Sequence, residues 1–219
     1  MYFNNLTNLL SIFYPKLTWA RRSAEKLIYL TFDDGPIPEV TEYVLDELDK
    51  YSAKATFFCV GDNILKNTPV FQNIIHRGHK IGNHTFNHLN GWKNETGHYL
   101  ENVSKCNYII MNSLDAETKQ TYLSNRSGKK LFRPPYGKIK QAQIKALTED
   151  YEIIMWDVLS GDFDKNLAPE KCLYKAIKFT KNGSIVIFHD SLKALPNLQY
   201  ALPRFLKHFK EAGYRFESL

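Results

Sequence analysis

Residues 27–36 read LIYLTFDDGP, and this stretch gives the first indication of the fold. The largely apolar run at 27–32 predicts a buried strand, because strands covered on both faces of a parallel sheet are apolar at nearly every position. Residues 38–51 follow with apolar positions at helical spacing and therefore predict a helix. A buried strand followed directly by a helix is the unit from which parallel α/β sheets are built.

The same alternation of strand and helix continues to the C-terminus. The polar interval 115–130 is predicted to be one loop. Six or more strand–helix units within about 190 residues predict a compact barrel, with functional residues at the carboxyl ends of its strands. Further strands are predicted at 54–60, 80–83, 130–133, 151–156, 184–188 and 214–216, and further helices at 68–77, 99–112, 141–149, 169–179 and 198–211.

Length and composition narrow the class of protein. The chain of 219 residues is long enough for one domain, and 43% of it is hydrophobic and 24% charged. These values are typical of globular proteins and exclude the disordered, collagen-like and disulfide-scaffold classes. The net charge of +6 is spread without a long basic block, so no nucleic-acid partner is expected. Cys59, Cys106 and Cys172 lie far apart and are expected to be buried free thiols in a reducing compartment.

The N-terminal segment is expected to be an extension, residues 1–26, that precedes the barrel. Its first 14 residues begin without Lys or Arg and contain only short apolar runs. Such a segment is a poor signal peptide and is too short to span a bilayer. We therefore expect a cytoplasmic protein without stable membrane insertion, with a weak contact to a membrane surface as the alternative. The oligomeric state is left open.

Two adjacent carboxylates, Asp33 and Asp34, end the first buried strand. Neighbouring residues of a strand point to opposite faces, so both can address one site only if the backbone bends there. Gly35 and Pro36 supply such a bend. The alternative is that the two aspartates cap the helix that follows, since Asp is common in turns before Gly-Pro.

Two histidines, His84 and His88, follow the predicted strand at 80–83. Their spacing of four residues predicts that they project from one side of a helical turn and hold the same divalent ion. An accidental pair is the alternative, but the aspartates are predicted at the same rim of the barrel. Two imidazoles and one carboxylate, with positions left for water, are typical of a catalytic metal site. Zn²⁺ is the expected ion, and Co²⁺ or Fe²⁺ would accept the same ligands.

Three further strand ends carry polar residues. Arg133 precedes a Pro-Pro turn, where its planar guanidinium could hold a carboxylate; the alternative is a surface arginine. Residues 156–163 form an acidic and aromatic strand end. His189 closes a strongly apolar strand, where histidines are as often structural as catalytic.

The whole pattern resembles the polysaccharide deacetylases, carbohydrate esterase family four. Five segments match the motifs of that family in order and approximate spacing, namely residues 31–36, 84–88, 133–137, 162–163 and 187–189. The resemblance covers residues 27–219, which it identifies as a polysaccharide deacetylase catalytic domain. It implies an α/β fold, a distorted (β/α) barrel of seven or eight units. It also implies a metal-dependent hydrolase that removes N-acetyl groups from sugars.

The resemblance implies a role for each matching residue at the metal. Asp34, His84 and His88 would bind the ion, and Asp33 would be the general base. This division is chemically reasonable, because a bound cation acidifies water and Asp33 could then take its proton.

The remaining motif residues would assist the same reaction. The backbone N–H of Tyr136 would stabilise the oxyanion, and protonated His189 would deliver a proton to the departing amine. Arg133 would orient the base, and Asp162 would raise the pKa of His189.

Three positions depart from the family pattern. The fourth motif usually carries a further acidic residue before the position of Asp162, and that acidic position is altered here. Phe163 stands where the family usually has Trp, so the indole N–H is lost while an apolar wall is kept. Ile187 replaces the usual Leu, a conservative change beside an acetyl methyl group. Trp92, four residues after His88, is predicted either to line the substrate groove or to pack a loop.

An N-acetylated carbohydrate is therefore the expected partner, and a carbohydrate deacetylase acting on an amide bond the expected enzyme. The alternatives are an O-acetyl esterase or other amide hydrolase on the same scaffold, and a catalytically silent glycan-binding module. The silent module would be expected to lack a metal ligand or the base, and none is missing here. Chitin-like, peptidoglycan, capsule and small-sugar substrates remain open, because loops around the groove set that choice.

Overall fold

The computed structural model describes residues 7–123 and 128–219. Its strands form one sheet in which every pairing of neighbours is parallel. They are β1 (Leu17–Thr18), β2 (Leu27–Asp33), β3 (Thr56–Cys59), β4 (Lys80–Asn83), β5 (Lys130–Phe132), β6 (Tyr151–Ile154), β7 (Val158–Leu159), β8 (Ser184–His189) and β9 (Arg215–Glu217). The spatial order is β1-β6-β5-β4-β3-β2-β8-β7, and β9 pairs with the first half of β2.

Helices follow most of the strands and cover the sheet. Two 3₁₀ turns, Gly91–Lys93 and Pro135–Gly137, lie in the connections after β4 and β5. The helices are α1 (Thr7–Phe13), α2 (Pro38–Lys50), α3 (Gly61–Lys66), α4 (Thr68–His76), α5 (Thr96–Asn112), α6 (Ala116–Leu123), α7 (Gln141–Leu147), α8 (Pro169–Phe179) and α9 (Leu195–Glu211).

The sheet curls into a distorted barrel, which confirms the predicted fold class. Residues just before β2 bridge the interval between β6 and β8: β1 pairs with β6, and Ala20 forms an antiparallel bridge to Ser184. The Arg21 N–H also donates to the Gly183 carbonyl at 2.8 Å. β7 fills the same interval nearer the carboxyl end of β8, opposite Val186 and Ile187. Part of the expected N-terminal extension therefore contributes to the barrel wall.

The core lies on both faces of the central strands. β2 is buried at all seven positions, as its largely apolar run predicts. Phe32 packs against the helical layer and stacks on Phe57 at 5.1 Å between ring centroids. Tyr29 faces the other way, into the barrel interior with Phe58. The predicted free thiols are confirmed, since all three cysteines are buried and unpaired.

The interval predicted as one loop, 115–130, differs from that prediction. It begins with α6, which buries Tyr122 and places its hydroxyl 3.1 Å from Asn107 Oδ1. This buried ring anchors a helix whose other residues are mostly polar, so its apolar periodicity is too weak to see in the sequence. Residues 124–127 of the interval lie outside the described residues. No helix in the described part of the chain is long and apolar enough to cross a membrane.

Candidate metal centre and active site

The predicted site residues gather at the carboxyl ends of the strands. Asp33 ends β2, His84 and Arg133 directly follow β4 and β5, and His189 ends β8. They surround a cleft of about 580 Å³. Arg133 and Asp162 are fully buried behind its wall. Six of the residues predicted from the sequence line the cleft itself: Asp33, Asp34, His84, His88, Tyr136 and His189.

Three of these side chains form a group suited to a metal ion. Ligand atoms of Asp34, His84 and His88 all lie within 4.8 Å of one another. The Asp34 Oδ1 atom is 3.2 Å from His88 Nε2 and 3.8 Å from His84 Nε2. A carboxylate with two imidazoles is a donor set that divalent metals accept, so the residues fit the predicted cation.

The backbone that brings these ligands together is not helical. Residues 84–88 contain no helix, so the predicted helical turn is wrong. The chain instead adopts positive φ at Asp34 (85°), Thr85 (62°) and His88 (54°). Residues other than glycine rarely adopt this left-handed backbone conformation, and those that do are concentrated at functional sites. The strained turns place the two imidazoles on the cleft side.

Hydrogen bonds fix the orientation of both imidazoles. His84 Nδ1 lies 2.8 Å from the Arg133 carbonyl oxygen. Because a carbonyl can only accept, Nδ1 carries the proton and Nε2 is left for a metal. Burial lowers the pKa of His84 to about 4, which keeps the ring neutral at neutral pH. His88 Nδ1 lies 3.1 Å from the Tyr136 hydroxyl, and the rings are 4.6 Å apart.

The carboxylate of Asp34 is held in its charged form. Burial alone would raise its pKa, but the hydrogen bond with His88 and the nearby positive charge of His189 lower the pKa well below the usual range. An ionised carboxylate facing a neutral His84 is the protonation state that metal binding requires.

Asp33 is clamped by Arg133. The NH1 group donates to Asp33 Oδ1 at 2.6 Å and to Thr31 Oγ1 at 2.8 Å. The other guanidinium nitrogens donate to the carbonyls of Ile154 and Met155, at 3.3 and 3.0 Å. The side chain is fully buried, so the alternative of a surface arginine is wrong. With four of its five N–H groups engaged, this guanidinium is fixed in place and orients the Asp33 carboxylate.

Asp162 holds His189 in a similar way. Asp162 Oδ1 lies 2.7 Å from His189 Nδ1, and Oδ2 accepts the backbone N–H of His189 at 2.7 Å. Ser160 adds a hydrogen bond to Oδ1 at 3.0 Å. Burial alone would lower the pKa of His189, but the Asp162 carboxylate reverses this and raises it to about 9. The ring is therefore protonated at neutral pH. Phe163 packs against it edge-on at 5.0 Å between centroids.

The structure adds a supporting residue, Asp190, that the sequence did not single out. Its buried carboxylate accepts the Gly35 N–H at 3.0 Å and the Thr41 hydroxyl at 2.6 Å. Burial raises the pKa of Asp190 to about 8. A Cβ at Gly35 would lie only 1.9 Å from Asp190 Oδ2, so this close approach requires glycine. The position of Asp190 next to His189 is the sequence feature that could have indicated its role, whereas no sequence feature indicates a role for Thr41.

Two asparagines support the other side of the same turn. Asn63 donates to the Asp34 carbonyl at 2.7 Å, and Asn67 donates to the Pro36 carbonyl at 3.0 Å. Both come from the segment around α3, which the sequence analysis did not predict. The turn that carries Asp34 is thus fixed from both flanks.

The cleft combines a prospective cation site, a clamped carboxylate and a protonated imidazole, and this combination defines a hydrolase. A model of the family described as polysaccharide deacetylase matches residues 20–153. Because the match covers more than half of the chain, the chain belongs to the polysaccharide deacetylase family, as its motifs predicted.

Individual relatives agree with this assignment. The chain is 36% identical to a peptidoglycan-N-acetylglucosamine deacetylase of Bacillus cereus, over 93% of this chain and 91% of the relative. It is 30% identical to chitin deacetylase 2 of Saccharomyces cerevisiae, over 77% and 51% of the two chains. A solved peptidoglycan N-acetylglucosamine deacetylase, in complex with 4-naphthalen-1-yl-N-oxidanyl-benzamide, superposes with a TM-score of 0.84 and 29% identity, covering 95% of this chain and 94% of that one. The prediction of a carbohydrate deacetylase is confirmed by these matches.

Proposed function

We propose that the protein hydrolyses the N-acetyl amide of N-acetylglucosamine units in a glycan polymer, with Zn²⁺ in the site formed by Asp34, His84 and His88. The main support is the convergence of this donor set with a clamped carboxylate and a protonated imidazole in one cleft. The relatives named as peptidoglycan and chitin deacetylases support the choice of sugar. When bound, the cation would supply Lewis-acid chemistry that polarises the acetyl carbonyl and acidifies water.

Asp33 is the proposed general base. Its carboxylate borders the cleft, and the hydrogen bond from Arg133 fixes its direction. Asp33 would take a proton from the attacking water, and the backbone N–H of Tyr136 would donate to the oxygen on which negative charge develops. Arg133 acts through Asp33 and is a positioning residue.

His189 is the proposed general acid. Its Nδ1 is engaged by Asp162, so Nε2 is the nitrogen available to the cleft. The raised pKa keeps a proton on this ring at neutral pH, ready for the departing amine of the sugar. Expulsion of an amine requires such a donor, because an unprotonated amine is a poor leaving group.

The test is release of acetate from oligomers of N-acetylglucosamine by the parent protein and by Asp33→Asn. Loss of the base is expected to lower kcat by about 100-fold or more while the fold is retained. The matched control is Asp49→Asn, which changes an exposed carboxylate on α2 away from the cleft and is expected to keep full activity. If Asp33→Asn releases acetate as fast as the parent, Asp33 is not the base.

The metal is tested on the same protein. Chelation is expected to abolish acetate release. Re-addition of Zn²⁺, Co²⁺ or Fe²⁺ is expected to restore acetate release to different degrees. Elemental analysis of the purified protein identifies the ion that it retains. Undiminished activity after complete metal removal would refute the metal-dependent mechanism. An O-acetylated xylan in the same panel tests the esterase alternative, since preferential acetate release from it would overturn N-deacetylation.

A further inference from the structure

An exposed tryptophan lies close to the proposed metal ligands. Trp92 belongs to the 3₁₀ turn Gly91–Lys93, four residues after His88, and 60% of its surface is exposed. Four residues of chain span at most about 14 Å, so the indole lies within a few sugar rings of the cleft. A single exposed aromatic residue is common on protein surfaces and would not by itself indicate a site.

The turn that carries Trp92 is held rigidly. The indole Nε1–H donates to the Ile139 carbonyl at 3.0 Å, and the Trp92 backbone N–H donates to Asn90 Oδ1 at 3.0 Å. The Gly91 N–H donates to the Lys138 carbonyl at 3.1 Å, and a Cβ at Gly91 would lie 2.5 Å from that oxygen. The only polar atom of the indole is therefore satisfied inside the protein. What remains exposed is a flat apolar surface in a fixed orientation.

The indole adjoins one residue of the cleft wall, Lys138. Lys138 lines the cleft, and its Nζ lies over the Trp92 ring at 5.5 Å from the centroid. Tyr136, also 60% exposed, lies two residues earlier and contacts His88. His88, Tyr136, Lys138 and Trp92 thus form a strip from the proposed metal site toward solvent.

We propose that Trp92 is a stacking platform for a pyranose ring of the glycan that lies beyond the ring next to the unit that is deacetylated. This inference rests on the proposed function and assigns the substrate class as an oligomeric or polymeric N-acetylated glycan. One face of a pyranose ring presents C–H groups, which pack on an aromatic face, and a preorganised indole loses little conformational entropy when it binds. Lys138 lies beside the stacked ring, where its ammonium can donate to hydroxyl or carboxylate oxygens.

The experiment measures binding without turnover. In an Asp33→Asn background, the affinity for the disaccharide and the hexasaccharide of N-acetylglucosamine is measured by calorimetry with and without Trp92→Ala. Loss of the platform is expected to weaken hexasaccharide binding by about tenfold and to leave disaccharide binding and Tm unchanged. Trp92→Phe, which keeps a flat ring, is expected to retain most of the affinity.

The matched control is Tyr174→Ala. Tyr174 on α8 is also 60% exposed and also has a lysine, Lys178, over its ring at 5.3 Å, but this lysine, unlike Lys138, does not line the cleft. Its replacement is expected to change neither affinity. Equal affinities of the Trp92→Ala and Trp92 proteins for the hexasaccharide would overturn the platform alone. Failure of the protein with Trp92 intact to bind either oligomer would overturn both the platform and the proposed function.

Discussion

Replacement of Asp162 by asparagine is expected to remove the interaction that keeps His189 protonated. The pKa of His189 is raised from 6.5 to about 9. Each unit corresponds to about 1.4 kcal/mol, so the carboxylates around the ring favour its charged form by about 3 kcal/mol net of burial. The Asn side chain keeps the volume but not the charge. Because burial lowers the pKa and Asp162 is the strongest opposing group, the pKa of His189 should fall well below 9 in Asp162→Asn, with Asp34 and Asp33 still raising it.

The sign of the effect on stability follows from proton linkage. In the parent, His189 has a higher pKa in the folded than in the unfolded protein. Its contribution to the free energy of unfolding is therefore fully present below about pH 6.5 and is lost as the pH rises through about 9. The free energy of unfolding should therefore fall by about 3 kcal/mol across this window in the parent and by less in the variant. A further loss of about 1–3 kcal/mol, independent of pH, is expected because the Asn amide would face a backbone N–H.

The assay is an NMR titration of the histidine ring protons in metal-free protein, with the His189 resonance assigned from His189→Gln. Urea unfolding at pH 6.5 and 9.5 gives the linked stabilities. The reasoning is refuted if His189 in the parent titrates at or below pH 6.5, or if Asp162→Asn leaves its midpoint unchanged. In the active enzyme, the alkaline limb of kcat/KM is expected to move to lower pH in the variant.

Three other predictions concern the groups around Asp33 and Asp34. Arg133→Met leaves the Asp33 carboxylate buried without its cation and should lower the free energy of unfolding by about 3–5 kcal/mol in urea; a loss below 1 kcal/mol would contradict the clamp. Gly35→Ala places a Cβ 1.9 Å from Asp190 Oδ2, so the turn must shift and the zinc affinity measured by calorimetry should fall. Unchanged affinity would show that the turn tolerates the methyl group. Zinc at 100 times its Kd should stabilise the parent by about 2.7 kcal/mol, and equal stabilisation of His88→Ala would count against the assigned ligands.

Much of the barrel could be predicted because its signals are local. The run at 27–32 is apolar at every position but Thr31, and the strand predicted at 80–83 coincides with β4. β1 and β7 contain two residues each, too few to show any periodicity, and they form only because neighbouring strands offer pairing partners. The helix over 116–123 could not be predicted, because Tyr122 is its one buried residue and a single apolar position shows no helical periodicity.

The site was predictable in its chemistry more than in its geometry. Asp33, Asp34, His84 and His88 do converge, but through left-handed backbone conformations and not through the predicted helical turn. The contact between Thr41 and Asp190 joins residues 149 positions apart. The sequence around neither residue indicates such a contact. It forms only because the pairing of β2 with β8 brings the two residues together.

Arg133 serves two groups at once. Its guanidinium clamps Asp33, while its backbone carbonyl accepts the proton of His84 and so sets that ring's orientation. Displacement of the β5 end would therefore disturb cation binding and base alignment together, and the two properties cannot be tuned separately from this side of the cleft. His88 can be changed without disturbing Arg133, since its ring is partly exposed and is hydrogen-bonded to the Tyr136 hydroxyl. Engineering of metal selectivity at constant base geometry should start there.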